Sequence, residues 1–490
     1  MGWRTEAGRG AFGCGRARTR AAVVLCAAAA LGPTMALPAW PATAAAESVV
    51  ASASTAGSPT PYAFARDAGT VAGATGTADA ARLDAGRTYR STLPAGSKRY
   101  YRLELDATAG AYVSVTAIPR AGAQVSSSDG LKVSVEDAGG TICSSGATYF
   151  GPTQSPHPIA AWAARETGPG TYGCKGAGAY YVVVERRDLA TSAPGVWDLE
   201  LDHVSEPALR QPGATTAPGA WDSATPEAVL GDPTRRAGGA GFATAGALGQ
   251  GVWRDAIRPG QTLFYKVPVD WGQQLSATVE MGSSTVADRY VGTALAMSLY
   301  NPVRAYVGDA DAGYSGAQTS AALDPLPPVD YANRHAVGSR ASAMRFAGWY
   351  YLAVHLGAPV ADKFGAGPFA LTLRVRVKGT PAAGPAYAGR SAPRDVFEVT
   401  AADRKEAAAR TGTGGAGDGS AGPKAEASGG GSRRGGTGGA GAAAGARGGG
   451  GFAGDPRTMK LVAVGGIGTG SALVLWLGLW TAAGRRRARR

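Results

Sequence analysis

The chain of 490 residues carries 49 Lys and Arg against 36 Asp and Glu, a formal charge of +13. Setting aside the first 46 residues, with five basic and one acidic side chain, and everything from Arg457 onward, with seven and none, leaves 37 basic against 35 acidic residues, a net of +2. The alkaline character therefore reports targeting, and it argues against a nucleic-acid-binding role built on a basic surface.

The amino terminus reads as an export signal. Arg4, Arg9, Arg16, Arg18 and Arg20 form a basic region, residues 21–31 are apolar, and Ala42-Thr43-Ala44 or Ala44-Ala45-Ala46 offers small residues for cleavage. The apolar run is about half a bilayer-spanning length, which argues against an uncleaved first membrane helix. Leu25, before Cys26, stands where a lipoprotein signal needs a small residue. Residues 1–46 are thus expected to be a signal peptide, and 47–78, rich in Ala, Ser, Thr and Gly, a loose leader.

Two longer stretches follow, 79–205 and 239–380, joined by a proline-bearing connection over 206–238. They are copies of one another. Tyr89-Arg90-Ser91-Thr92-Leu93-Pro94-Ala95-Gly96 followed by Tyr100-Tyr101-Arg102-Leu103-Glu104-Leu105-Asp106 matches Trp253-Arg254-Asp255-Ala256-Ile257-Arg258-Pro259-Gly260 followed by Phe264-Tyr265-Lys266-Val267-Pro268-Val269-Asp270. Leu131, Val133, Val135 and Asp137 correspond to Leu295, Met297, Leu299 and Asn301, and Gly178-Ala179-Tyr180-Tyr181 corresponds to Gly348-Trp349-Tyr350-Tyr351. Trp197, Leu199 and Leu201 alternate as Phe369, Leu371 and Leu373 do. Alternation with period two, punctuated by Gly, Pro and Asp, predicts strands, and no long helical period interrupts it. The fold class expected is all-β, two tandem jelly-roll-like sandwiches. Removing the export signal leaves only Cys143 and Cys174, which an oxidising compartment would join as a disulfide.

Residues 381–456 are expected to be a linker and a disordered Gly/Ala-rich tether, because such a composition cannot bury enough apolar surface to offset its ordering entropy. The 24 uncharged positions 461–484 make a helix of roughly 36 Å, long enough to cross a hydrocarbon core of about 30 Å. A transmembrane helix is therefore placed at 459–484. Arg485, Arg486, Arg487, Arg489 and Arg490 follow as a cytoplasmic tail, leaving the bulk of the chain extracellular. Gly466 and Gly470 form a Gly-x-x-x-Gly pair through which two such helices could approach as a weak homodimer.

The order of blocks resembles the bacterial pre-peptidase C-terminal domain. The blocks are a Pro-Ala-Gly or Pro-Gly turn, a Tyr-Tyr or Phe-Tyr strand, an alternating strand ending in Asp, a Gly-x-Tyr-Tyr strand and an alternating final strand. That resemblance implies a small jelly-roll-like sandwich of the kind appended to secreted hydrolases, although no catalytic domain precedes either copy here.

Catalytic groups are hard to find. His157, His203, His335 and His355 lie in no metal-binding or protease spacing, and Gly313-Tyr314-Ser315-Gly316-Ala317 lacks the last Gly of a nucleophile elbow. Glycine triplets at 412, 414 and 417 and at 436, 438 and 441 match a dinucleotide fingerprint only through the tether's composition. Asp309 and Asp311, in Asp309-Ala310-Asp311-Ala312-Gly313, are the calcium candidates, with a solvated turn as the plainer expectation. Trp253, Trp349 and Trp197 occupy repeated strand positions and are expected in the core, whereas Trp162 and Trp271 are the candidates for a ligand surface. The reading is a surface-displayed, non-enzymatic binding or scaffolding protein, in which two copies could act together. An accessory subunit of an envelope complex is the alternative, and a hydrolase with an unrecognised site the weakest. Partners expected are the membrane and either an envelope protein or a cell-wall polysaccharide.

Overall fold

The computed structural model describes residues 60–409, apart from 169–172, 189–191, 193, 287 and 288. The expected export signal, the Gly/Ala-rich tether, the apolar segment with its arginine tail and the Gly466–Gly470 pair lie outside the described residues. Among the described residues no helix is long and apolar enough to cross a membrane.

Each copy forms two five-stranded sheets. Sheet I runs β2 (Ala81–Arg82), β4 (Lys98–Leu105), β9 (Gly178–Arg187), β6 (Gly130–Asp137), β7 (Ile142–Tyr149). Sheet II runs β1 (Gly69–Thr70), β3 (Arg87–Leu93), β10 (Trp197–Glu206), β5 (Gly110–Ile118), β8 (Ile159–Arg165). The second copy repeats both. Sheet III is β12 (Gly246–Ala247), β14 (Thr262–Val269), β19 (Gly348–Leu356), β16 (Val291–Tyr300), β17 (Tyr306–Tyr314). Sheet IV is β11 (Thr234–Arg235), β13 (Gly251–Ile257), β20 (Phe369–Lys378), β15 (Gln274–Met281), β18 (Thr319–Ala322). Ten strands of one copy answer ten of the other in the same order, so the duplication read from four sequence blocks extends through the whole sandwich. The first strand pairs at Gly69, ahead of the boundary expected at 79.

The alternation explains the layers. Leu103, Val133 and Val182 from sheet I meet Val113, Leu199 and Leu201 from sheet II in one dry core. Tyr265, Met297 and Leu352 from sheet III meet Val279, Leu371 and Leu373 from sheet IV in the other. Gly96 and Gly260 hold φ of 59° and 77° in the two matched turns, a region that a side chain would strain, which is why the Pro-x-Gly signal recurs. Cys143 and Cys174 are bonded, with Cα atoms 5.7 Å apart, tying β7 to the loop before β9.

The sandwiches do not stand apart. The outer face of sheet II packs on the outer face of sheet III, so the four sheets stack in the order I, II, III, IV. Tyr112, Ala164 and Val204 of the first copy meet Val303, Ala305 and Phe346 of the second, and Ala160 joins Phe264 and Tyr300. Segments expected to be connections are built into this body. Leu209 bridges Tyr387 and Ser205 bridges Ala392, so residues beyond 380 return to the first copy. Phe397 then stacks on Phe346, 4.6 Å between centroids. A short helix, α3 (Ala401–Ala408), follows behind a capping box of Thr400 and Asp403. Its Asp403 accepts from Trp349 Nε1 at 3.0 Å. Trp349, expected in the core, therefore lies on the outer face of β19 beneath α3. Trp197 and Trp253 are in the cores, as expected.

Candidate functional site

The seam between sheets II and III is solvent-excluded but strongly polar. Along β10 the inward-facing Leu199 and Leu201 alternate with Glu200, Asp202 and Glu206, which would face water in an isolated sandwich and here face the second copy. Arg304 donates to Glu200 at 2.7 Å and approaches Asp202 at 3.8 Å, Arg334 donates to Glu206 at 2.8 Å, and Arg345 to Glu166 at 2.7 Å. Burial works against the Arg304 charge, but Asp202 and Glu200 outweigh it and leave its pKa raised. Hydroxyls complete the shell: Tyr62 donates to Glu200, while Tyr112 and Tyr387 donate to Glu206.

The seam ends at a pair of histidines. The rings of His157 and His355 stack 4.3 Å apart, inclined by 23°. His355 Nε2 lies 3.0 Å from Ser155 Oγ, and its Nδ1 lies 3.0 Å from Thr262 Oγ1. Burial, and next the adjacent His157, hold His355 well below the ordinary histidine value, and burial lowers His157 as well. This contact resembles a serine–histidine dyad only in its atoms. Ser155 is fully buried, and its hydroxyl also accepts the Ala358 N–H at 3.1 Å, so the pair fastens the two copies rather than exposing a nucleophile. His203 lies on β10 with Nδ1 3.2 Å from the Leu83 carbonyl, and His335 ends the 3-10 turn Tyr331–His335.

Beside the histidine pair opens a cavity of about 490 Å³ between the copies. Its second-copy wall follows from the register of sheet III. Thr262, His355, Ala296 and Asp311 form one row across four strands, and Phe264, Ala353, Ser298 and Asp309 the next. Tyr300 and Tyr306 pair in the row beyond. The first-copy wall is the edge strand β8, through Ala160 and Trp162, together with Tyr149 at the end of β7. Tyr149 and Tyr306, 49% and 44% exposed, present aromatic faces on its two walls. Trp162 is half-buried, held by Tyr112 stacked 6.3 Å away and by the Arg345 guanidinium 5.9 Å away. The Tyr306 hydroxyl bonds to Asp309, and burial followed by that bond raises its pKa. Burial also pushes Tyr300 up to about 12.

Three residues singled out in the sequence thus line one cavity: Trp162, Asp309 and Asp311. Trp271 does not join them. It is 7% exposed in the second core, where the Trp271 carbonyl accepts the Ala382 N–H and Gly384 lies close against the indole. Asp309 and Asp311 are in mid-strand rather than in a turn, and no third carboxylate, His or Cys joins them as a metal-binding group among the described residues. Tyr149 and Tyr306 had escaped sequence reading. A signal existed in the comparison of copies, since the strand pairings set Tyr306, Asp309 and Asp311 opposite the positions held by Ile142, Ser145 and Ala147 in the first copy.

No family model matches the chain, and no curated protein matches it. Among solved structures, the CUB1-EGF-CUB2 region of human MASP-1/3 is 10% identical, with 59% of this chain and 99% of that one covered and a TM-score of 0.16. The tandem CBM22 domains of Paenibacillus barcinonensis Xyn10C are 10% identical over 66% of this chain and 100% of that one, with a TM-score of 0.17. Tripeptidyl peptidase 2 is 9% identical over 67% of this chain and 28% of that one, with a TM-score of 0.20. Likenesses this slight carry no functional argument.

Proposed function

We propose that this chain is an exported, single-pass membrane protein without catalytic activity, whose paired sandwiches form one rigid binding head. In this reading the eight longer strands of each copy follow a jelly-roll arrangement, and the Gly/Ala-rich stretch tethers the head to the apolar segment 461–484. The observation that carries the binding role is the cavity between copies, with exposed aromatic faces on both walls and carboxylates on one. Its volume lies within the roughly 300–1,000 Å³ usual for small-ligand sites. The copies meet through unlike faces, so this cavity has no symmetry-related twin, and a larger one of about 1070 Å³ opens on the other side of His157 between Gln154 and Gly260.

The test is crosslinking of the intact protein in its own envelope, with photoreactive groups at exposed Tyr149 and Tyr306, alongside protease accessibility on intact cells. Crosslinks to envelope material from these positions, with the head cleaved only from outside, are the expected result. A protein subunit recovered in constant ratio, through surfaces away from the cavity, would replace this reading with that of an accessory subunit.

A further inference from the structure

We infer that the cavity between the copies takes an uncharged or amino-bearing oligosaccharide segment, an inference that rests on the binding-head reading and names its ligand class. Three features of the walls point the same way. The first is a set of aromatic rings already fixed in place. Trp162 is braced by Tyr112, and Tyr306 is set edge-on to Tyr300 at 6.2 Å, with its hydroxyl bonded to Asp309. Such rings bury a large amphipathic area at small cost in conformational entropy, and their electron-rich faces suit the partly positive C–H face of a sugar ring.

The second feature is the density of hydroxyls from separate segments. Thr148 comes from β7, Thr293 and Ser298 from β16, and Ser339 and Ser342 from the helix Ser339–Ala343. A quaternary ammonium group would satisfy the aromatic faces but offers these hydroxyls nothing to bond, whereas a sugar presents donors and acceptors around its rim. Ser342 already donates to the Ser339 carbonyl at 3.0 Å, but an apolar peptide would leave the hydroxyls of Thr148, Thr293 and Ser339 without a partner.

The third is charge. No Lys or Arg lines the cavity, and the nearby Arg340 is engaged with Asp324 at 2.5 Å. Asp309 and Asp311 line it, and the Asp311 carboxylate, on a residue paired through the strand ladder with Ala296, is exposed there and meets no cationic side chain among the described residues. Uronate or phosphate-bearing chains would be repelled there, while neutral hydroxyls or an ammonium-bearing sugar gain an acceptor. The first copy, with Ser145 and Ala147 at the matched positions, lacks this wall.

The experiment uses the full chain in lipid nanodiscs and measures binding of N-acetylglucosamine oligomers, glucosamine oligomers, galacturonate oligomers, choline and calcium. The expected result is binding of one or both of the first two and none of galacturonate. Trp162→Ala and Tyr306→Ala should each weaken it at least tenfold, and Asp311→Asn should weaken the glucosamine oligomer more than the acetylated one. Asp311 is an exposed strand residue, so its variant keeps the test open if Trp162→Ala fails to fold. Equal binding of galacturonate, response to choline or calcium alone, or saccharide binding indifferent to all three substitutions would overturn the inference. If no saccharide binds yet these substitutions abolish envelope crosslinking, the ligand class falls and the binding head stands. If crosslinking is also unchanged, both fall.

Discussion

Two kinds of buried surface hold this protein together, and they are built from different chemistry. Within each sandwich the contact is almost purely apolar, typified by Leu201 and Val113 in one copy and Leu352 and Leu373 in the other. Between the sandwiches, also hidden from solvent, lie Glu200, Asp202, Glu206, Arg304 and Arg345, with the half-buried Arg334 at the margin. Apolar burial stabilises without regard to direction. Buried ions return their desolvation cost only when each finds its partner, so the seam specifies how the copies meet more than how firmly.

The sharpest way to break that contrast is to orphan one ion. Glu200→Ala leaves the Arg304 guanidinium without its closest carboxylate and should cost about 3–5 kcal/mol in urea unfolding, whereas joint replacement by Glu200→Met and Arg304→Met should recover most of it. Failure of the double variant to recover would make the ions indispensable rather than directional. Leu352→Ala, in the second core, should cost about 2–5 kcal/mol through a cavity, and no change at the seam should rescue it. Breaking the disulfide by Cys143→Ser and Cys174→Ser should remove about 3 kcal/mol by freeing the unfolded chain, with protease sensitivity rising in the first copy alone.

Acid tests the seam selectively. His157 and His355 are held below their unfolded values, so the folded protein takes up fewer protons than the unfolded chain as pH falls below about 6.5. Their contribution is fully present above that pH and declines below it, until the lowered folded values are reached. Unfolding midpoints followed from pH 7.5 to 5 should drop, and His355→Gln should flatten the drop. An unchanged slope would assign it to the carboxylates instead. The smallest effect is expected at the surface, where Lys378 pairs with Asp222 and both side chains are more than half exposed. Lys378→Ala should leave the midpoint where it was.

How far the sequence disclosed all this depends on period and distance. Strands were legible because Leu103 with Leu105 and Leu371 with Leu373 advertise one face each, and the turn at Gly96 was legible because it recurs at Gly260. The seam was not, because Glu200 and Asp202 alternate with leucines as solvent-facing residues do, and the Arg304 they share lies about a hundred positions away. A subtler sign lay between the copies. The charged Lys98, Lys132, Glu136 and Glu185 of sheet I become Thr262, Ala296, Tyr300 and His355 in sheet III, as expected of a face that leaves water. For the candidate site, Trp162 and the two aspartates were visible singly, but only the sheet register places them around one space.

The connection between the copies has a consequence of its own. Sheets that meet through unlike faces are related without a two-fold axis, and such a contact carries no built-in limit on how many units can be added. Here both ends of the series are closed. On the outer face of sheet IV, Arg374 donates to the Val229 carbonyl, Arg376 pairs with Glu227 and Lys378 with Asp222. At the opposite end, sheet I keeps its charged rows, with Lys98 bonded to Glu185. The residues that string the two sandwiches together are thus also a terminator. They occupy the surface on which a third repeat, or a neighbouring molecule, would otherwise extend the stack into a fibre.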